Sequence, residues 1–335
     1  MKMNGCKDSL VAPFAAWATT LVMVLALLVC SLGRAASLAQ AQALEQEWSE
    51  PVLLSEEPWF GWFPDMAVDN LGRVHVFWEA PDFSRWRLGA ENTILYPFGL
   101  VHRVWDGHEW SEQNDVIAYM GTEGIIFRLA TAADANGYIY LTYSRDGVNF
   151  SKALSENAGL APAWSAPHNM SDAIYMSDIA VDSKGVIHVV YEETVTDPLD
   201  ESLLSSETPL RSAVLVHAEI YYRRSEDGGK TWTAPLNLSK TLEGTARVRL
   251  EIDGQDTLYA SWEVGWSRWG GSGAEPHSGV IVASFDGGQS WNKLTEFTEP
   301  ENTNAQITTA GDGQGGVLVV WRAWTTDDIY YAWST

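Results

Sequence analysis

Ala67-Val68-Asp69-Asn70-Leu71-Gly72-Arg73-Val74-His75-Val76-Phe77-Trp78 is the stretch that decides how this chain folds. It holds an aspartate, a short turn with a glycine, and an apolar run closed by an aromatic residue. An aspartate side chain accepts hydrogen bonds from nearby backbone N–H groups, and glycine takes positive φ at no steric cost. The phrase therefore predicts two strands joined by a tight turn. It returns as Asp134…Gly137…Tyr143, Asp182…Gly185…Tyr191, Asp253…Gly254…Trp262 and Asp312…Gly313…Trp321, always with the aromatic nine residues after the aspartate. One offset kept in five copies marks a repeat architecture. The run after each turn, such as Val186 to Tyr191, is apolar at nearly every position. That predicts burial on both faces, as where sheets stack face to face.

A second phrase alternates with the first. Ser225-Glu226-Asp227-Gly228-Gly229-Lys230-Thr231-Trp232 and Ser284-Phe285-Asp286-Gly287-Gly288-Gln289-Ser290-Trp291 share the pattern S-x-D-G-G-x-[ST]-W. Shorter forms occur at Asp106-Gly107-His108-Glu109-Trp110 and at Ser155 to Gly159 ahead of Trp164. The chemistry suits a hairpin tip: the aspartate ties backbone N–H groups across the turn, glycines take left-handed positions, and tryptophan packs beneath. The pattern resembles the Asp-box, or BNR repeat, of the sialidase superfamily.

The two ends complete the expectation. A strand such as Trp164-Ser165-Ala166-Pro167 or Trp232-Thr233-Ala234-Pro235 follows each tip, and Trp48-Ser49-Glu50-Pro51 repeats it with no sheet before it. Asp328 to Ser334 matches Glu219 to Ser225 and stops where its tip would begin. The reading is an all-β propeller of five four-stranded blades, closed by pairing the N- and C-terminal strands, which leaves no free edge. A sixth, degenerate blade within Glu79–Tyr96 or Glu192–Glu219 is the alternative.

Composition bounds the partners. The 335 residues carry a formal net charge of −23, which excludes nucleic acid and an anionic membrane as natural partners because both would repel the chain. Lys2 and Lys7 precede an apolar run from Trp17 to Leu32 and an alanine-rich stretch ending in Ala41-Gln42-Ala43. Residues 1–43 are expected to be a cleaved signal peptide, with an uncleaved anchor as the alternative, leaving 44–335 as one secreted propeller domain. Both cysteines, Cys6 and Cys30, lie in the leader, so the mature chain is expected to have no disulfide and no thiolate metal site. No cofactor and no metal are expected, since no loop has calcium-site spacing.

Blade topology places the starts of inner strands and the ends of second strands on one face, opposite the hairpin tips. Asp65, Ala130, Asp178, Arg249 and Thr308 stand four residues before the repeat aspartates, and Glu79, Ser144, Glu192, Glu263 and Arg322 follow the repeat aromatics. Carboxylates crowded at a channel mouth raise one another's pKa, as in a catalytic site, although inter-blade ion pairing uses the same residue types. Trp62, Trp266 and Trp269 occupy loops on the same rim, where flat rings suit stacking on a sugar face.

The superfamily resemblance implies three arginines around a substrate carboxylate, a tyrosine nucleophile assisted by a glutamate, and an aspartate acid. Arg128, Arg249 and Arg322 are the arginine candidates, with Arg247 as a substitute for Arg249. Tyr330 with Glu263 would form the nucleophile pair, and Asp65 or Asp178 the acid. Phe127-Arg128-Leu129-Ala130 keeps only Phe-Arg of the expected Phe/Tyr-Arg-Ile-Pro motif. Three classes stay open: a sialidase-like glycoside hydrolase, a noncatalytic carbohydrate-binding propeller, and an extracellular protein-interaction propeller. A glycan or glycoconjugate is the expected partner in the first two.

Overall fold

The computed structural model describes residues 49–56, 61–82, 84–89, 94–122, 129–144, 147–172, 176–198, 214–241, 244–265, 277–298, 304–323, 326 and 328–334. Within the unit Leu54–Thr335 the strands form five antiparallel sheets, the blades of a β-propeller. The first blade holds β1 (Trp62–Val68), β2 (Val74–Pro81), β3 (Arg87–Leu88), β4 (Ile94–Trp105) and β5 (Asn114–Thr122). The second holds β6 (Ala130–Ala133), β7 (Tyr138–Ser144), β8 (Val148–Leu154) and β9 (His168–Ser171). The third holds β10 (Ser177–Val181), β11 (Ile187–Pro198), β12 (Val214–Ser225) and β13 (Leu236–Asn237). The fourth holds β14 (Thr245–Ile252), β15 (Leu258–Val264), β16 (Ser278–Ser284) and β17 (Asn292–Thr298). The fifth holds β18 (Asn304–Gly311), β19 (Val317–Ala323) and β20 (Asp328–Ser334).

Each repeat aspartate does the same local work. Asp69 Oδ1 accepts from the N–H groups of Leu71 and Arg73, both at 2.9 Å, and so ties the turn two and four residues ahead. Asp134, Asp182, Asp253 and Asp312 repeat that pair of bonds at distances of 2.7–2.9 Å. The apolar run that follows is buried on both faces because cores form between neighbouring blades. Phe77 and Leu100 meet Leu129, Ile139 and Tyr143 of the second blade, and Ile220 and Tyr222 meet Leu250 and Trp262 of the fourth. Each such side chain, fully buried, contributes about 1.5–3 kcal/mol.

The hairpin tips fasten one blade to the one before. In both SxDGG turns the serine Oγ donates to the aspartate and accepts the second glycine's N–H, while the aspartate gathers the two N–H groups that follow at 2.9–3.0 Å. Trp232 meets Phe150 and Trp291 meets Tyr222 edge to face, each at 5.0 Å. Lys152 Nζ donates to the Gly228 carbonyl at 2.6 Å, and Arg224 Nη1 to the Gly287 carbonyl at 2.5 Å.

Three expectations change. The first blade gains β3, a short strand pairing with β4 beyond the end of β2. Of the stretch considered for a sixth blade in the third repeat, residues 199–213 lie outside the described residues, and the rest belongs to two long strands, with Ile187–Pro198 paired to Val214–Ser225 throughout. The fifth blade is three-stranded: β20 pairs with β19 alone among the described residues, and its seven residues are all exposed. Of the segment expected to cover it, Trp48 lies outside the described residues, and Ser49, Glu50 and Pro51 form no strand. The leader, residues 1–43, also lies outside them. Among the described residues no helix is long and apolar enough to cross a membrane.

Candidate functional site: the central cavity

The five inner strands or their approaches line one cavity of about 770 Å³, within the range of small-molecule sites. Asp65 comes from β1, Thr131 from β6, Asp178 from β10, Arg249 and Glu251 from β14, and Thr308 from β18. Alternation along a strand puts Glu251 on the same side as Arg249, two residues earlier. Sequence reasoning missed Glu251, and that period of two was the available clue.

Backbone bulges shape the mouth. Phe63, Arg247 and Gln306 each stand two residues before the cavity-lining positions of β1, β14 and β18, and all three have left-handed φ, of 45°, 58° and 55°. The pairing register slips at the same three places. Such a conformation in a non-glycine residue costs about 1–3 kcal/mol and persists only where neighbours hold it. Two buried glutamates supply that hold: Glu192 Oε1 accepts the Arg247 N–H at 2.6 Å, and Glu263 Oε1 accepts the Gln306 N–H. Glu263 also lies 3.5 Å from the Arg247 guanidinium.

The inner aspartates make a second set of inter-blade bonds. Asp65 Oδ2 accepts the Thr131 N–H at 2.7 Å, and Asp178 Oδ2 accepts the Leu250 N–H at 3.0 Å. Arg249 Nη1 lies 3.9 Å from Asp178. Burial pushes the Asp178 carboxyl up to about 7, against the pull of the Leu250 and Ile179 N–H groups and with help from the negative charge of Asp65. Burial raises Glu251 as well, and Asp65 adds to it. The three carboxylates thus share one electrostatic space.

The sequence candidates divide accordingly. Asp65, Asp178 and Arg249 line the cavity. Glu79, Glu192 and Glu263 do not: they lie within second strands, are 1%, 4% and 0% exposed, and sit among the blades. Glu192, expected as a substrate-binding group, and Glu263, expected as the partner of a tyrosine nucleophile, accept the N–H groups of the bulged backbone. Among the described residues neither oxygen of Glu79 finds a hydrogen-bond partner, and burial pushes its carboxyl up to about 8. Trp62 is half-buried opposite Glu79 in the β1–β2 pairing.

Tyr330 is placed elsewhere. It lies on β20, the third strand of its blade, stacked on Trp321 at 5.9 Å, and is not among the cavity-lining residues. That position comes from topology: only the first strand of a blade faces the channel. Arg322, opposite Ala305 and Ile329 on β19, is not among the lining residues either. Arg128, Trp266 and Trp269 lie outside the described residues. His75 and His188, read as strand residues, are fully buried and bond to His102 and Tyr222.

No family model matches the chain. Over 146 residues, 41% of its length, the chain is 27% identical to a leucine–tRNA ligase of Pseudomonas paraeruginosa, of which it spans only 16%. Among solved structures it is similar to a family PL25 polysaccharide lyase, an ulvan lyase bound to a GlcA–Rha3S unit, at a TM-score of 0.50 and 13% identity. That likeness covers 79% of this chain and 68% of the lyase. It is also similar to a Penicillium chrysogenum α-L-arabinanase complexed with arabinobiose (TM-score 0.44, 12% identity, 81% of this chain and 77% of the other). A Hadza microbial sialidase follows, at a TM-score of 0.42 and 13% identity over 82% of this chain and 56% of the sialidase. At 13% identity the likeness to the lyase bears on the fold alone, and those to the arabinanase and the sialidase carry no argument.

Proposed function

We propose that this chain is a glycan-directed propeller that takes a sugar into its central cavity. One observation carries the reading: the cavity gathers carboxylates and a guanidinium from different blades around a space sized for a small ligand. Carboxylates accept sugar hydroxyls, and fixed charges on rigid strands orient them. The two SxDGG turns support membership of the sialidase superfamily. We read residues 1–43 as an export signal and 44–335 as the mature, secreted domain.

Binding is favoured over sialidase-type hydrolysis. A tyrosine nucleophile has to reach the sugar, and Tyr330 stacks on an outer strand instead. The test is equilibrium binding of an oligosaccharide panel to the mature chain and to Arg249→Ala, alongside sugar release from a fluorogenic sialoside. The expected result is oligosaccharide binding that weakens at least about tenfold in the variant, equivalent to about 1.4 kcal/mol, with no sialoside cleavage. Cleavage that Tyr330→Phe abolishes would restore the hydrolase reading. If no oligosaccharide binds, the glycan reading fails and a protein partner takes its place.

A further inference from the structure

The cavity lining combines charge with exposed apolar surface. Arg249 and Glu251 of β14 bring hydrogen-bonding groups from the fourth blade. From β1 of the first blade come Phe63 and Met66, 42% and 67% exposed. Among the described residues Phe63 is the one aromatic ring of the lining. It stands one place past Trp62, which is half-buried opposite Glu79 instead. Its backbone is strained, because a φ of 45° is an outlier for a bulky side chain. The bulges at Arg247 and Gln306 are held by a glutamate just after the repeat aromatic of the blade before. In the fifth blade that place holds Arg322, and a guanidinium accepts no N–H. Pro64, next to Phe63, has no N–H of its own to pair. Strain without that clip, on an exposed ring that lines a cavity, points to a position kept for a ligand rather than for packing.

A pyranose ring matches such a lining. Its ring C–H bonds make an apolar face, which gains by leaving water against an aromatic ring. Its hydroxyls stand around the edge, where charged side chains form the stronger, charge-assisted hydrogen bonds. Resting on the glycan reading above, we propose that Phe63 is the stacking platform of the cavity. The ligand is a pyranose oligosaccharide with an unbroken C–H face, which lies on the phenyl ring while the hydroxyl edge turns towards Arg249 and Glu251.

The experiment measures binding of a cello-oligosaccharide, whose equatorial substituents leave both ring faces open, to the mature chain, Phe63→Gly and Phe63→Tyr, with urea unfolding of each. Phe63→Gly is expected to bind about tenfold or more weakly, while its urea midpoint holds or rises, since glycine takes a φ of 45° without strain. Phe63→Tyr keeps the flat ring and should bind within about threefold of the parent. Undiminished binding by Phe63→Gly overturns the platform and leaves the glycan reading to Arg249→Ala. A lowered midpoint in Phe63→Gly also overturns it, because the ring would then be packing for the fold. Equal losses in the glycine and tyrosine variants overturn it as well, since a flat ring would not be what the ligand meets. If the parent ignores the cello-oligosaccharide but binds another member of the panel above, this inference fails and the glycan reading stands. Absence of binding by every oligosaccharide defeats both.

Discussion

The two ends of the channel treat repetition in opposite ways. At the turn end, Asp69, Asp134, Asp182, Asp253 and Asp312 make the same two backbone bonds, and the two SxDGG turns match bond for bond. At the cavity end, the residue after each repeat aromatic is Glu79, Ser144, Glu192, Glu263 or Arg322. Even the three glutamates differ: two clip a bulged N–H of the next blade, and the Glu79 carboxyl has no hydrogen-bond partner among the described residues. Repetition persists where every copy must solve the same turn. It stops where the chain builds one asymmetric site.

The largest expected effect comes from breaking a clip. Glu263→Ala leaves the Gln306 N–H and the Arg247 guanidinium facing a buried hole, which costs about 3–5 kcal/mol when one partner of a buried charge pair is lost. Urea denaturation measures it. A loss below about 1 kcal/mol, the size of an ordinary surface contact, would reduce the clip to an incidental contact.

Glu79 tests the comparison from the other side. Its carboxyl titrates at about 8 in the fold, up from an ordinary 4.5, because burial disfavours the charge. Between those values the folded chain keeps a proton that the unfolded chain has released. Stability from this group is therefore greatest below pH 4.5 and falls as pH rises from there to about 8. Glu79→Gln removes that slope. It should stabilise the protein by on the order of 4 kcal/mol near pH 8 and leave it unchanged well below pH 4.5. Asp178 and Glu251, also shifted upwards, are present in both chains and drop out of the difference. A destabilised variant at both pH values would mean that Glu79 has a role like that of Glu263.

How much of this was legible follows from the range of each interaction. The Asp-to-aromatic offset was readable because the aspartate bonds residues two and four ahead, inside one short window. The bulges at Phe63, Arg247 and Gln306 were not, because no glycine marks them and the groups that hold Arg247 and Gln306 lie 55 and 43 residues away. Asp65, Asp178 and Arg249 were found by counting back from the repeat aspartates, since strand period carries residue number into direction. Glu192 and Glu263 were placed at the correct end of the channel, but a side chain's choice between cavity and neighbouring blade depends on the packing of two sheets. Tyr330 was assigned from a family order of residues, which carries no information on the strand position that decides access to the cavity.

The smallest effect sharpens the turn end of the comparison. Gly287 and Gly288 are neighbours in one SxDGG turn, both left-handed, with φ of 67° and 79°. An added Cβ at Gly287 meets nothing within 4 Å, whereas at Gly288 it would collide with the Tyr222 hydroxyl of the preceding blade. Alanine at either position bears the left-handed penalty of about 1–2 kcal/mol. Only Gly288→Ala adds the overpacking cost of about 1–3 kcal/mol. Thermal or urea unfolding of the two variants should therefore differ by about 2 kcal/mol, with Gly288→Ala the weaker. That difference isolates what the second glycine does: it lets the turn close against the preceding sheet. Equal losses would mean that the tip bends for local reasons alone and that its contact with Tyr222 and Trp291 contributes nothing to holding the blades together.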